Sequence, residues 1–446
     1  MTDRSIDHRP PAQAALVLHP SSPRTTHLRD PQARLAEAVG LAQALDLEVR
    51  QADLIPLRAT TPATLLGKGK VAEIGELCAT LDVDVVVVDD QLSPVQQRNL
   101  EKAWQVKVID RTGLILEIFA RRARTREGRL QVELARLAYE RSRLVRTWTH
   151  LERQRGGLGA MAGPGETQIE TDRRLLADKI GKLKRELEEV RRTRGLQRSA
   201  RQRTPLPTIA LVGYTNAGKS TLFNRLTDAT VEARDMLFAT LDPTLRTVKL
   251  PMGRPAILSD TVGFISDLPH ELVEAFRATL DEVSAADVVV HVRDIAGPDS
   301  EAQAADVETV LQQIGVTADG ERSIIEVWNK IDLLSEEDRG AVLARALRRS
   351  ETNAPMAIPV SAVSGDGVDA LLKKLSDLID PSEPVAANLP AGDGRALAWL
   401  YRHGRIVERV DDAEGGTQIS VRLDPQALGR FERLFPGALV VGQAAE

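Results

Sequence analysis

Apolar residues along this chain follow two rhythms. Short runs such as Ala15-Leu16-Val17-Leu18, Val83-Asp84-Val85-Val86-Val87-Val88 and Val106-Lys107-Val108-Ile109 alternate with helically spaced stretches, one of them ending at Leu45. This alternation predicts buried parallel strands between helices, hence a small α/β N-terminal domain over residues 14–110. The spacing then changes. Leu130, Leu134, Leu137, Leu144, Trp148 and Leu151 advance by steps of four and three with Arg141 interrupting, and Leu176, Ile180, Leu183, Leu187 and Val190 repeat the pattern. Two such seams predict an antiparallel helical hairpin over 111–203, with arms of roughly 35 Å at 1.5 Å per residue. Between them, residues 156–167 carry Gly156, Gly157, Gly159, Gly163 and Gly165, too much glycine to continue a helix, so a flexible tip loop is expected. An interdomain coiled coil with a long turn is the plainer alternative.

Beyond a basic, proline-ended linker at Arg191 to Pro207, the period returns to that of strands. Thr208-Ile209-Ala210-Leu211-Val212 and Pro255-Ala256-Ile257-Leu258 are strand-like, Ser220 to Leu226 is helix-like, and Asp380-Pro381-Ser382-Glu383-Pro384 closes a domain over 207–380. Residues 390–446, with Leu397-Ala398-Trp399-Leu400, Ile406-Val407 and Gln418-Ile419-Ser420-Val421, predict a small α+β C-terminal domain of strands plus one helix. The expected class is therefore α/β, with a hairpin inserted between two α/β units.

Composition narrows the class. The 446 residues suffice for about three domains. No apolar run approaches the roughly 20 residues of a membrane helix, and the polar N-terminus has no signal-peptide stretch, so no membrane insertion is expected. A single cysteine, Cys78, excludes an internal disulfide or a cysteine-cluster zinc site; it reads as a small buried apolar residue in a cytoplasmic protein. Net charge is −5, unevenly spread. Residues 111–203 hold 24 Lys and Arg against 12 Asp and Glu, a surplus of 12, leaving −17 elsewhere. A basic segment in an acidic chain points to a polyanion, RNA being the commonest; a solvated arginine-rich helical surface is the alternative.

The chemistry is concentrated in four elements. Gly213-Tyr214-Thr215-Asn216-Ala217-Gly218-Lys219-Ser220 matches G-x-x-x-x-G-K-[ST], in which backbone N–H groups surround phosphate, the lysine reaches the β/γ phosphates and the hydroxyl holds Mg²⁺. It lies between a strand and a helix N-terminus, where the helix dipole favours an anion. Asp260-Thr261-Val262-Gly263 follows at a strand end, where the carboxylate can serve the Mg²⁺ shell and the Gly263 N–H the γ-phosphate. Asn329-Lys330-Ile331-Asp332 supplies a carboxylate for N1–H and the exocyclic amine of guanine; adenine would leave it unpaired. Ser361-Ala362-Val363 completes the order, and the set predicts GTP and GDP as ligands. Gly67-Lys68-Gly69-Lys70 lacks the hydroxyl after its last lysine and reads as a basic turn before a helix near Val71.

With these motifs, Leu237-Phe238-Ala239-Thr240-Leu241-Asp242-Pro243-Thr244, the stretch Gly163-Pro164-Gly165-Glu166-Thr167-Gln168-Ile169-Glu170-Thr171-Asp172-Arg173-Arg174 and Leu92-Ser93-Pro94-Val95-Gln96-Gln97-Arg98-Asn99-Leu100-Glu101, the chain resembles the HflX family of ribosome-associated GTPases from about residue 14 to its end. The resemblance implies a factor that acts on the large ribosomal subunit and its RNA and splits or recycles stalled ribosomes. It further implies Ser220 and Thr240 as Mg²⁺ ligands, Thr244 being a rival, with Phe238, Ala239, Leu241 and Asp242 beside the nucleotide in the first switch. Lys219, Thr240 and Gly263 would act in hydrolysis. The tip departs from the family in having Met161-Ala162 before Gly-Pro-Gly-Glu, which puts a phosphate contact there in doubt. Phe264 stands where many GTPases orient water with glutamine, so turnover should be slow alone and rise on ribosomes. Asn216 is a candidate K⁺ ligand. A monomer is expected. A nucleotide-gated assembly factor without splitting activity is the alternative function; a tRNA-modifying GTPase is disfavoured because no cysteine lies beyond Cys78.

Overall fold

The computed structural model describes residues 13–22, 29–154, 164–201, 206–227, 237–238, 240–241, 243–251, 255–267, 277–317, 323–350, 355–380, 384–412, 415–423 and 425–439. The first sheet contains β1 (Ala14–Ser21), β2 (Glu48–Pro56), β3 (Val85–Val88) and β4 (Lys107–Asp110), all parallel in the order β2-β1-β3-β4. Between and after them run α1 (Pro31–Gln43), α2 (Lys68–Leu81), α3 (Pro94–Trp104) and α4 (Arg111–Arg122). Central strands covered on both faces need near-continuous apolar runs, and period-two alternation then divides each run. Leu16, Leu18, Val86 and Val88 meet Ile74, Cys78, Leu100 and Trp104 from α2 and α3, whereas Ala15, Val17, Val85 and Val87 face Leu41, Leu114 and Ile118 from α1 and α4. Side chains of Asp30, Ser93 and Asp110 cap the starts of α1, α3 and α4. Helix α2 begins at Lys68 with Gly67 as N-cap, three residues before the expected Val71.

Helices α5 (Arg126–Gln154) and α6 (Pro164–Arg201) form the hairpin. Leu130, Leu134 and Leu137 pack against Leu176, Ile180, Leu183, Leu187 and Val190, as their spacing predicts, while the side chains of Leu144, Trp148 and Leu151 lie outside the described residues. Three expectations need correction. The hairpin starts at Arg126 rather than 111, because residues 111–122 form α4, whose apolar face, with Leu114 and Ile118, is buried on the first sheet. Residues 164–167, assigned to the tip, begin α6, and the linker expected from Arg191 is helical through Arg201. Pro164 suits the first helical turn, and the Leu, Arg, Lys and Glu content outweighs the roughly 1 kcal/mol that Gly165 or Gly195 each costs. Gly165 therefore lies in helix, while Gly156, Gly157, Gly159, Gly163, Met161 and Ala162 fall outside the described residues. At the hairpin base, Asp110 accepts from Tyr139 Oη and from Arg143, both at 2.6 Å.

The second sheet comprises β5 (Thr208–Gly213), β6 (Thr244–Lys249), β7 (Pro255–Asp260), β8 (Val288–Asp294), β9 (Ser323–Asn329) and β10 (Ala357–Pro359), in the order β10-β9-β8-β5-β7-β6. Only β6 runs antiparallel. Helices α7 (Lys219–Thr227), α8 (Arg277–Ser284), α9 (Ser300–Gln313), α10 (Glu336–Ser350) and α11 (Val368–Ile379) accompany it. β5 has β8 on one side and β7 on the other, so the chain reverses its winding there, and ligands of open α/β sheets bind at the carboxyl ends of strands at such a point.

The third sheet, β11 (Val385–Leu389), β13 (Thr417–Arg422) and β12 (Arg405–Asp411), is antiparallel in that order. It starts before the boundary expected at 390, and it is covered by two helices rather than one, α12 (Gly394–His403) and α13 (Pro425–Leu434). Leu389 and Ala387 of β11 are core residues, which is why the strand belongs here; Trp399 and Phe431 join the two helices with ring centroids 5.3 Å apart. No helix among the described residues is long and apolar enough to cross a membrane.

Candidate functional site

Strand β5 ends at Gly213, where an added Cβ would lie 2.2 Å from the Val292 carbonyl oxygen of β8. At Gly218, with φ +94°, it would lie 2.1 Å from Asn329 Nδ2. Side chains are excluded at both bends, so the loop stays close to the strands on either side. Lys219 opens α7 and folds back, its Nζ donating to the carbonyls of Gly213 at 3.1 Å and Tyr214 at 2.7 Å. Burial lowers its pKa from 10.5 to about 8 against the opposing pull of Asp260. Phe264 N–H donates to Gly213 at 3.0 Å and Thr215 N–H to Phe264 at 2.7 Å, stitching the loop to the segment after Asp260. An added Cβ at Gly263 would sit 2.9 Å from Lys219 Nζ. The Phe264 ring is buried in the core shared with the first sheet, and Asn216 is exposed with φ +58°.

Three oxygens converge at the mouth of the loop. Ser220 Oγ lies 3.0 Å from Thr240 Oγ1, and Asp260 Oδ2 accepts from both at 2.8 Å. Adjacent ligands of octahedral Mg²⁺ with bonds of about 2.1 Å are about 3 Å apart, so this hard-oxygen set fits that ion. Asp260 Oδ1 and Thr215 Oγ1 are buried with no hydrogen-bond partner among the described residues, leaving polar capacity for a metal shell and a phosphate. Burial raises the Asp260 pKa, with Lys219, Ser220 and Thr240 pulling the other way. Thr244 sits in β6, paired in register with Asp260, whereas Thr240 is in hydrogen-bond contact with both partners. Thr261 Oγ1 donates to Leu211, Leu241 is buried, and Ala239 and Asp242 lie outside the described residues.

On the other side of β5, Asn329 ends β9 and joins two loops. Its Nδ2 donates to Ala217 at 2.8 Å, and its Oδ1 accepts from Ala362 N–H at 3.0 Å. Lys330, with φ +68°, reaches Asp294 at 2.7 Å. Ile331 is buried while Asp332 presents an exposed carboxylate. Ser361 is fully buried and its Oγ accepts from Ser364 N–H at 3.0 Å. Arg225 of α7 donates to the carbonyls of Ala362, at 3.1 Å, and Val363. Arg225 and Asp294 belong to no motif and escaped the sequence reading; only their proximity in the fold reveals them.

A larger set, of which only Tyr214 belongs to a motif, is likewise brought together by the fold alone. Tyr214 Oη donates to Glu37 of α1 at 2.6 Å and accepts from Ser266 N–H at 2.9 Å. Arg111, buried at the start of α4, donates to Ser266 Oγ at 2.9 Å and also pairs with Glu37 and Asp89. Burial works against its charge, but Asp89 and Glu37 raise its pKa well above the ordinary guanidinium value; burial, seconded by Glu37, raises that of the Tyr214 phenol. Arg34 pairs with Asp267 at 2.9 Å. The phosphate loop and the segment after Gly263 are thus tied to the first sheet by a buried polar joint.

A mostly parallel sheet with a glycine-lysine loop at its switch point, a carboxylate and two hydroxyls beside it, and Asn-Lys-x-Asp at the adjoining strand end define a P-loop guanine-nucleotide hydrolase. Models described as GTP-binding GTPase N-terminal, GTP-binding GTPase middle region, 50S ribosome-binding GTPase and HflX C-terminal domain match residues 32–120, 122–201, 208–330 and 346–438. The chain belongs to the HflX family of GTPases. It is 52% identical to GTPase HflX of Magnetococcus marinus, over 95% of each chain. It is 44% identical to GTPase HflX of Escherichia coli K12, over 87% of this chain and 89% of that one. With human putative GTP-binding protein 6 it shares 34% identity over 95% of this chain and 82% of the relative. The chain is accordingly a GTPase that binds GTP and GDP, in a family that uses Mg²⁺.

Proposed function

We propose that this GTPase binds the large ribosomal subunit in its GTP state and uses the basic hairpin to split or recycle stalled ribosomes in the cytoplasm, acting as a monomer. The observation that carries the reading is the union of a GTP site with two long packed helices in the segment whose surplus charge is +12, and the description of the matched 208–330 model as a 50S ribosome-binding GTPase supports it. Cationic arms of this kind suit a phosphate backbone, and their binding should weaken steeply with salt.

In this reading Ser220 and Thr240 would hold Mg²⁺, which would supply charge neutralisation for the phosphates. Lys219 exchanges its loop carbonyls for phosphate oxygens, Gly263 N–H contacts the γ-phosphate, and the free Asp332 carboxylate selects guanine. Asn216 would help hold a K⁺ ion; equal hydrolysis rates in K⁺ and Na⁺ would remove that role. The buried Phe264 ring offers water no hydrogen bond, so isolated protein turns over slowly and ribosome-bound protein faster.

Sedimentation of intact ribosomes with the protein and a non-hydrolysable GTP analogue tests the whole reading. Dissociated subunits are expected. Unsplit ribosomes, with the protein on precursor particles instead, would replace it with an assembly role.

A further inference from the structure

The first switch is held from outside the GTPase sheet. Phe238 adopts φ +57°, a left-handed conformation that a bulky side chain avoids and that persists only where its surroundings enforce it. Three features of the N-terminal unit do so. The Phe119 ring of α4 stands edge-on to Phe238 with centroids 4.6 Å apart. Arg122, the last residue of α4, donates to the Phe238 carbonyl. Gly40 of α1 leaves room for Leu237, whose Cδ1 would be 3.2 Å from an added Cβ. Two residues on from this clasp, Thr240 already touches Ser220 and Asp260.

We propose that Arg122 is a positioning residue for GTP hydrolysis: by gripping the Phe238 carbonyl, with Phe119 and Gly40 as its seat, it keeps Thr240 at the metal position before nucleotide arrives. The inference rests on Thr240 acting at the metal in the GTP state. It makes a specific demand, because GDP needs no closed first switch whereas GTP does. Preorganisation by Arg122 therefore raises affinity for the triphosphate and leaves the diphosphate alone.

The full-length protein is titrated with fluorescent GDP and with a fluorescent non-hydrolysable GTP analogue, both with Mg²⁺. Arg122→Ala should weaken the analogue about tenfold, as expected for a lost hydrogen bond from a charged donor, with GDP affinity within about twofold. Arg122→Lys should recover most of the loss, since one ammonium N–H can reach one carbonyl. Gly40→Val, which displaces Leu237, should reproduce the alanine phenotype by a different route. Equal weakening of both nucleotides, or an unchanged ratio in Arg122→Ala, overturns the proposal. Thr240→Ala separates the two layers: if it leaves the ratio unchanged, the metal reading of Thr240 fails, whereas a changed ratio there with none in Arg122→Ala removes the positioning role alone.

Discussion

Two loops in this chain pair glycine with lysine at the start of a helix, and only one of them is built around a phosphate. At Gly67-Lys68-Gly69-Lys70 an added Cβ on either glycine would meet nothing within 4 Å, and Lys70 pairs with Glu73 at 2.7 Å on an open surface. At Gly213 and Gly218 the same addition collides with Val292 and Asn329, and Lys219 is buried against carbonyl oxygens. The glycines of the first loop are merely tolerated, whereas those of the second are required by close packing. Residue type alone does not make a phosphate site; a backbone pressed between strand ends and a lysine with no solvent to retreat to do.

If that contrast is right, the largest effect falls on the packed glycine. Gly218→Ala should reduce GTP affinity by at least about 100-fold, through strain at φ +94° and displacement of Asn329, while Gly69→Ala changes it less than about twofold; calorimetric titration of both variants decides. Lys219→Ala should cost about 100-fold in the same assay, a charge-assisted phosphate contact being worth up to ~3 kcal/mol, against no change for Lys70→Ala.

A milder effect comes from pH. The Lys219 pKa of about 8 lies below its ordinary 10.5, so between those values the unfolded chain binds more protons and nucleotide-free stability rises with pH; below pH 8 the slope vanishes. Nucleotide affinity moves oppositely, falling up to about tenfold per unit above pH 8 because phosphate must recharge the amine. Thermal melts with and without GDP across pH 7 to 10 should show the two trends diverge in the native protein and not in Lys219→Met. The smallest expected change is at Arg225→Ala, which frees the Ala362 and Val363 carbonyls and should weaken guanine nucleotides by about 1 kcal/mol; equal affinity would make the brace idle.

What the sequence makes legible follows the same division. Phosphate and guanine impose residue types at fixed spacing, so Gly213 to Ser220 and Asn329 to Asp332 stand out, and a two-helix seam imposes a period, so Leu130 to Val190 does too. The joint that Glu37, Arg111 and Ser266 make with Tyr214 has no such signature. Its contacts join residues from 52 to 177 positions apart, and each is an ordinary polar residue until the fold removes water from it. Helix α6 overran both expected ends because many good helix formers outvote single glycines, an energetic sum that a local breaker does not reveal. The strand at Val385 carries no local signal because its partner, Val421, lies 36 residues downstream across a helix and another strand.

Helix α4 carries Asp110 as its cap at one end, seized by Tyr139 and Arg143 of the hairpin, and Arg122 at the other, fastened to Phe238. Its 12 residues make a stiff strut of about 18 Å, bolted at both ends by charged contacts. Helix α5 runs alongside it, touches the Asp110 end at Tyr139 and Arg143, and continues for 11 residues to Gln154, about 16 Å farther, so the ensemble has the proportions of a crank with a handle as long as its arm. A tilt of that strut would therefore displace the far end of α5 by a comparable distance, and a push on that end would arrive at Phe238, two residues from Thr240.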